Sequence, residues 1–149
     1  MPPSSCTLEE LLPHRAPMIL IDRIEAVDLE AKTLTASVTI KPQWSAAHTA
    51  IEFMAQSAAA LAGYGDRARH PGLPARPGFL LGTRKLTLNI PRFEPGETYF
   101  IKVHNEFGDD VAGSFSCTVE DREGKVAAAA IINAYRPQDI ETFMKGSMQ

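Results

Sequence analysis

Residues 33–40 read Thr-Leu-Thr-Ala-Ser-Val-Thr-Ile, with an apolar side chain at every even position. That period of two is the mark of a strand with one buried face. The same alternation returns three times later in the chain. Leu86, Leu88 and Ile90 alternate with Lys85, Thr87 and Asn89, then Tyr99, Ile101 and Val103 do so, and finally Phe115, Cys117 and Val119. The intervening "PRFEPGET", "EFGDD" and "EDREGK" are turn sequences, and residues 126–135 predict a long last strand. Near the start, residues 18–24 are β-branched and apolar, which predicts a strand or an extended buried segment. Residues 7–12 predict a short helix, with Thr7 as its cap, Glu10 completing a capping box and Pro13 stopping it.

One stretch breaks this pattern. Residues 49–64 contain no proline and no β-branched run, are rich in alanine, and are apolar at nearly every position. A helix greasy on all sides is a buried one, and Gly63 and Gly65 are expected to end it. Residues 66–77, with three prolines and three basic residues, then read as a solvated loop. An antiparallel sheet and one apolar helix bury both surfaces most simply if the sheet curls around the helix. The expected architecture is therefore α+β of the hotdog kind, a five- or six-stranded antiparallel sheet wrapped around one long central helix. A single domain is expected over residues 1–149, with its core at about 7–136 and a loose tail at 137–149.

Composition narrows the function more than the fold. A chain of 149 residues fits one domain with a sizeable core, and 44% hydrophobic and 22% charged residues are ordinary for a globular protein. The net charge of −3 comes with no cluster of Lys or Arg, which argues against nucleic acid or an anionic membrane as partner. No secretory signal pattern opens the chain, and no run approaches the roughly 18 apolar residues of a membrane span. Cys6 and Cys117 are too few for a disulfide framework, and His14, His48, His70 and His104 are too scattered for a metal site. A cytoplasmic protein without metal or bound cofactor is expected.

Three motifs carry a resemblance. "LLPHRAPMILIDRI" (residues 11–24), "IEFMAQSAAALA" (51–62) and "FEPGE" (93–97) occur in the order and at the separations seen in the 3-hydroxyacyl-acyl-carrier-protein dehydratases of fatty acid synthesis. The resemblance runs to about Tyr135 and so covers most of the chain. "IEFMAQ" followed by "GFLLGTRKL" (78–86) is more similar still to the dehydratase-like proteins of aryl polyene pigment clusters. In these families Glu52 stands at the place of the catalytic acid. There is one large departure. Fatty acid dehydratases carry a catalytic histidine in a loop fourteen residues before that glutamate, and here that position is Val38, inside a strand. Only "KPQWSAA" joins this strand to the helix, so the loop is deleted.

Dehydrating a 3-hydroxyacyl thioester requires a base for the α proton, an acid for the departing hydroxyl and donors for the thioester carbonyl. A histidine and a neutral carboxylic acid supply the first two, and apolar burial keeps a carboxyl protonated. Glu52, between Ile51 and Phe53, suits the acid. His48, one turn before it, is a candidate base; its alternative reading is an ordinary first-turn residue, and nothing in the resemblance puts a histidine there. Amide groups at the helix start, around Ala47 and Thr49, are candidates for holding the carbonyl, and small side chains at Ala46 and Ala47 admit a substrate backbone. Gln56 is expected to orient Glu52 or the carbonyl. Gly82 is read as allowing close approach to the helix or a pantetheine arm, or as a plain strand glycine. Arg84 is read as meeting carrier phosphate or acid, or as half of a fold-internal ion pair, possible partners including Glu52. Cys117 is a core residue, His14 and Arg15 are structural, and His70 and His104 are solvated.

The resemblance implies a substrate carried on the phosphopantetheine of acyl carrier protein. It leaves three readings open: a self-sufficient hydro-lyase, an acyl-binding subunit completing a heterodimer with a second dehydratase, and a hotdog thioesterase in which Glu52 activates water. A dimer, homo or hetero, is expected, because a lone sheet of this kind leaves an edge strand open. Glu52 is expected to line an apolar tunnel near the helix start and the dimer interface.

Overall fold

The computed structural model describes residues 19–69, 71, 79–108 and 112–135. Six strands, β1 (Arg23–Asp28), β2 (Thr33–Thr39), β3 (Phe79–Leu88), β4 (Thr98–Gly108), β5 (Ala112–Glu120) and β6 (Val126–Tyr135), form one antiparallel sheet in the order β1-β2-β4-β5-β6-β3. Among the described residues one α-helix, α1 (Ala50–Arg69), packs chiefly on β4, with β2, β5 and β6 alongside. The expected five- or six-stranded antiparallel sheet with a central helix is therefore what the chain forms, with six strands among the described residues. The expected short helix at residues 7–12 lies outside the described residues.

The period-2 residues read from sequence make the face under the helix. Register sets Leu34 beside Val103, Cys117 and Ala130, and Ala36 beside Ile101, Val119 and Ala128. All eight are at most 5% exposed. Alanine and cysteine dominate the β5 and β6 end of these rows. Over β4 the space is filled by rings: Phe93 meets Phe53 at 5.6 Å and Tyr99 edge-on at 4.9 Å.

Four expectations need correction. The first concerns the end of the helix. It does not stop at Gly63 but runs to Arg69, because Gly63, Tyr64 and Asp66 are all buried and an Arg69–Asp66 bridge of 3.2 Å staples the last turn. Packing outweighs the roughly 1 kcal/mol that each glycine costs a helix, and Asp66 is not in a solvated loop. The second concerns residues 18–24, read as a strand or an extended buried segment: the first strand is Arg23–Asp28, and residues 19–22 precede it, with Leu20 and Ile21 buried. Third, "EFG" continues β4 to Gly108 instead of turning. Fourth, Leu86 and Leu88 are each 40% exposed. They lie on β3, an edge strand outside the main footprint of α1, so their alternation does not mark a face buried within this chain.

The short link between β2 and α1 is held from outside. "KPQW" folds into a single 3-10 turn (Pro42–Trp44), and a second turn (Ala47–Thr49) leads into the helix; neither has a side-chain cap. The "FEPGE" turn supplies what the caps do not. The Phe93 amide donates to the Ser45 carbonyl (2.7 Å), the Gly96 amide to Ile40 (2.8 Å), and the Ile40 amide to Glu97 (2.9 Å). Gly96 sits at φ +88°, in the left-handed region that suits glycine.

Phe93→Ala is expected to cost about 3–5 kcal/mol, whereas Phe107→Ala, at a side chain 72% exposed, stays within about 0.5 kcal/mol. Urea denaturation midpoints of the two variants check the contrast.

Candidate functional site

The start of α1 is where the predicted residues gather. Glu52 lies in its first turn and is half-buried; Gln56, a turn further on, is fully buried. The Gln56 amide nitrogen donates to Glu52 Oε1 at 3.0 Å, and its carbonyl oxygen accepts the Leu20 backbone N–H at 2.8 Å. Both ends of the amide are thus engaged, which fixes its orientation and fastens the "ILID" segment (residues 19–22) to the helix. That segment is further tied to β2: the Asp22 amide donates to Ser37 O (2.9 Å), and the Asp22 carboxylate accepts the Thr39 amide (2.7 Å). Two of the three sequence motifs therefore meet at one side chain, with the candidate acid beside it.

Ala47 is half-buried and Thr49 buried, both in the turn that opens the helix. His48 lies in the same turn but is exposed, and it makes no hydrogen bond to Glu52. The reason is local geometry. The backbone is 3-10 through Thr49 and turns α only at Ala50, so positions 48 and 52 lack the stacking that four-residue spacing gives inside an α-helix. A direct hydrogen bond between His48 and Glu52 is therefore not made.

Gly82 and Arg84 are elsewhere. Both are on β3, at the far edge of the sheet, opposite Asn133 and Ile131. A Cβ at Gly82 would meet nothing within 4 Å among the described residues, so within this chain no close approach demands a glycine there. Arg84 is exposed and has no acidic partner among the described residues, so the expected ion pair, including one with Glu52, is not made. An open trough of about 500 Å³ lies across the sheet, lined by Lys85, Lys102, His104, Ser116 and Thr118 among others, and includes none of the candidate site residues.

His104 is not simply solvated: its Nδ1 lies 3.0 Å from Glu106, which also accepts from Ser116 at 2.8 Å. These two contacts, Ser116 first, hold the Glu106 carboxyl below its ordinary range. Cys117 is the buried core residue expected, its thiol pushed up to about 12 by burial. His14, Arg15 and His70 lie outside the described residues. Two residues were missed by the sequence reading. Leu20 contributes a backbone group, which no side-chain motif displays, and Phe93 was hidden inside a turn motif although its ring anchors the helix start.

An antiparallel sheet wrapped on one apolar helix, with a carboxylate in the first turn and a glutamine behind it, defines the hotdog-fold dehydratase class. The chain belongs to the ApeP-like dehydratase family, whose model matches residues 6–145. Among solved structures, the dehydratase heterocomplex ApeI:P from Xenorhabdus doucetiae is similar at 25% identity and a TM-score of 0.80, covering 93% of this chain and 96% of that one. The PaaI protein of the E. coli phenylacetic acid degradation operon shares the fold at 12% identity and a TM-score of 0.57, over 76% and 82% of the two chains. So does a hypothetical thioesterase with coenzyme A from Streptococcus pneumoniae, at 9% identity and 0.58, over 77% and 84%. None of the curated proteins is matched by this sequence. No helix among the described residues is long and apolar enough to cross a membrane.

Replacing Gln56 by Leu strands the buried Leu20 N–H and removes the donor to Glu52, which is expected to cost about 1–3 kcal/mol; faster hydrogen exchange at the Leu20 amide would accompany it. In a Cys6→Ser background, Cys117 is expected to resist a thiol reagent at pH 8 until the protein unfolds. The sign of its pH effect follows from the raised value. The folded thiol stays protonated where the unfolded one ionises, so its contribution to stability is complete below pH 9.0 and is lost as pH rises towards about 12. Comparing urea midpoints of the wild type with Cys117→Ala across that range checks this.

Proposed function

We propose that this chain is one subunit of a two-chain dehydratase that acts on 3-hydroxyacyl groups carried by acyl carrier protein. Glu52 is its acid, and the base comes from the second chain. The observation that carries this reading is the arrangement at the helix start: Glu52 is held by Gln56 while His48, the nearest candidate base in sequence, faces solvent unbonded. The deleted histidine loop agrees with it, and so does the similarity to a protein solved as a dehydratase heterocomplex.

The division of labour follows from the chemistry. Loss of water from a 3-hydroxyacyl thioester proceeds by removal of the α proton, build-up of negative charge on the thioester oxygen and departure of the hydroxyl with a proton. Glu52 sits where an acid is useful, in a first turn bordered by apolar side chains, with its Oε1 accepting from Gln56. The positive end of the α1 dipole and the small residues Ala46 and Ala47 favour the developing oxyanion beside it. Neither supplies a base. A histidine from another chain, brought in across an interface, completes the set, and the phosphopantetheine arm of the carrier brings the acyl chain to it.

This reading predicts that the purified chain alone leaves a 3-hydroxyacyl carrier substrate unchanged, and that adding a dehydratase partner that bears the histidine loop produces the enoyl product. In that assembly Glu52→Gln should lower the rate by about 10²–10⁴-fold, while His48→Ala should change it little. Full activity of the chain by itself, or an assembly indifferent to Glu52→Gln, would overturn the proposal.

A further inference from the structure

The ladder between β1 and β2 ends at Arg23, opposite Ser37, and one more step of the same register would set Ile21 opposite Thr39. Instead Ile21 and Leu20 are buried, at 2% and 8% exposure, while Asp22, between them and the strand, is exposed. The chain therefore leaves the sheet at residue 22 and turns in towards α1. Two bonds from that one residue hold the departure. Its amide donates to the Ser37 carbonyl (2.9 Å), and its carboxylate accepts the Thr39 amide (2.7 Å) in place of a backbone rung. A carboxylate is a stronger acceptor for a backbone N–H than a neutral oxygen. Gripped at main chain and side chain alike, residue 22 fixes where the chain points next.

Two residues back along the chain is the Leu20 amide, 2.8 Å from Gln56 Oε1. A displacement of about 0.5 Å carries such a contact past the usual limit of a hydrogen bond. What depends on it is the sense of the Gln56 amide. A glutamine side chain ends in a carbonyl oxygen and an NH2 group, and turning it over exchanges acceptor for donors. With the Leu20 N–H in place, the overturned amide would set donor against donor, so Gln56 keeps its NH2 on Glu52 Oε1 at 3.0 Å. A proton on that oxygen would face the same NH2, so a neutral Glu52 carries its proton on Oε2. Were the amide overturned, its carbonyl would accept the Glu52 proton and hold it away from a substrate.

We propose that Asp22 is a positioning residue for the acid: by clamping the chain to the end of β2 it keeps the Leu20 amide on Gln56, which bars the Gln56 amide from turning over and leaves the Glu52 proton on Oε2, the oxygen from which a departing hydroxyl draws it. The inference rests on the reading of Glu52 as acid and adds the residue that sets which of its oxygens delivers the proton. Asp22 touches no reacting atom. Its side chain is exposed, so shortening it opens no cavity, and the effect passes inward through the Leu20 and Gln56 bonds.

Amide hydrogen exchange of the isolated, 15N-labelled chain tests the clamp without any catalytic assay. In Asp22→Ala, exchange at the Leu20 amide is expected to quicken at least about tenfold, while Val119 in the middle of β5 stays within about twofold. The side-chain NH2 resonances of Gln56 should move in the same variant. Asp22→Asn, which keeps an acceptor for the Thr39 amide, should restore most of the wild-type behaviour. Should Asp22→Ala fail to fold by circular dichroism, Asp22→Ser, whose hydroxyl is one bond short of the carboxylate's reach, takes its place. In the two-chain assembly Asp22→Ala should lower kcat about tenfold with KM little changed, and Asp22→Asn should recover it. Unchanged exchange at Leu20, exchange at Val119 rising in step with it, or kcat unmoved in an assembly that does respond to Glu52→Gln overturns the proposal. An assembly indifferent to Glu52→Gln overturns the reading of Glu52 as acid, and the exchange result separates that failure from a failure of the clamp.

Discussion

The buried amide of Gln56 is the interaction on which the working end of this fold depends. An uncharged polar group taken wholly out of water costs several kcal/mol unless each of its ends is bonded. Here one end is bonded by a backbone N–H thirty-six residues away and the other by a carboxylate one helical turn back. The same group therefore ties the "ILID" segment (residues 19–22) to α1 and gives the half-buried Glu52 a donor. Removing it would leave a stranded N–H and a carboxylate without that support, so segment, helix and candidate acid are coupled through one side chain.

The second constraint is the shortness of the path from β2 to the helix. A deleted loop leaves six residues, 41–46, plus one 3-10 turn, to reverse the chain and start a helix without a side-chain cap. That connection is held by a piece of sequence about fifty residues later, where the "FEPGE" turn bonds its backbone and inserts the Phe93 ring between Phe53 and Tyr99. This also explains why His48 is turned away. A helix entered through a 3-10 turn puts its opening residues on a different angular spacing, and the four-residue rule that paired His48 with Glu52 on paper does not apply there.

The third is the imbalance of the sheet. α1 covers its middle strands and leaves β3 outside the main footprint, so apolar residues of that strand meet solvent in the isolated chain. An open edge with exposed leucines is a liability for a lone protein.

How much of this was legible in the residues follows the range of the forces. Period-2 alternation in β2, β4 and β5, and the apolar run of α1, are local signals, and they gave the order of elements, the sheet type and the core rows, down to Cys117. The motifs around Glu52 and Gln56 marked the place of the candidate site. What lay beyond reach was decided by partners distant in the chain. Gly63 stays helical because its surroundings are packed, Leu86 and Leu88 are exposed because β3 falls at an edge, Arg84 does not pair with Glu52 because it lies on that edge strand, and the Gln56 carbonyl finds a backbone amide that carries no sequence mark. Local periodicity sets which face of an element is apolar; only the closing of the sheet and helix on one another decides what, if anything, covers it.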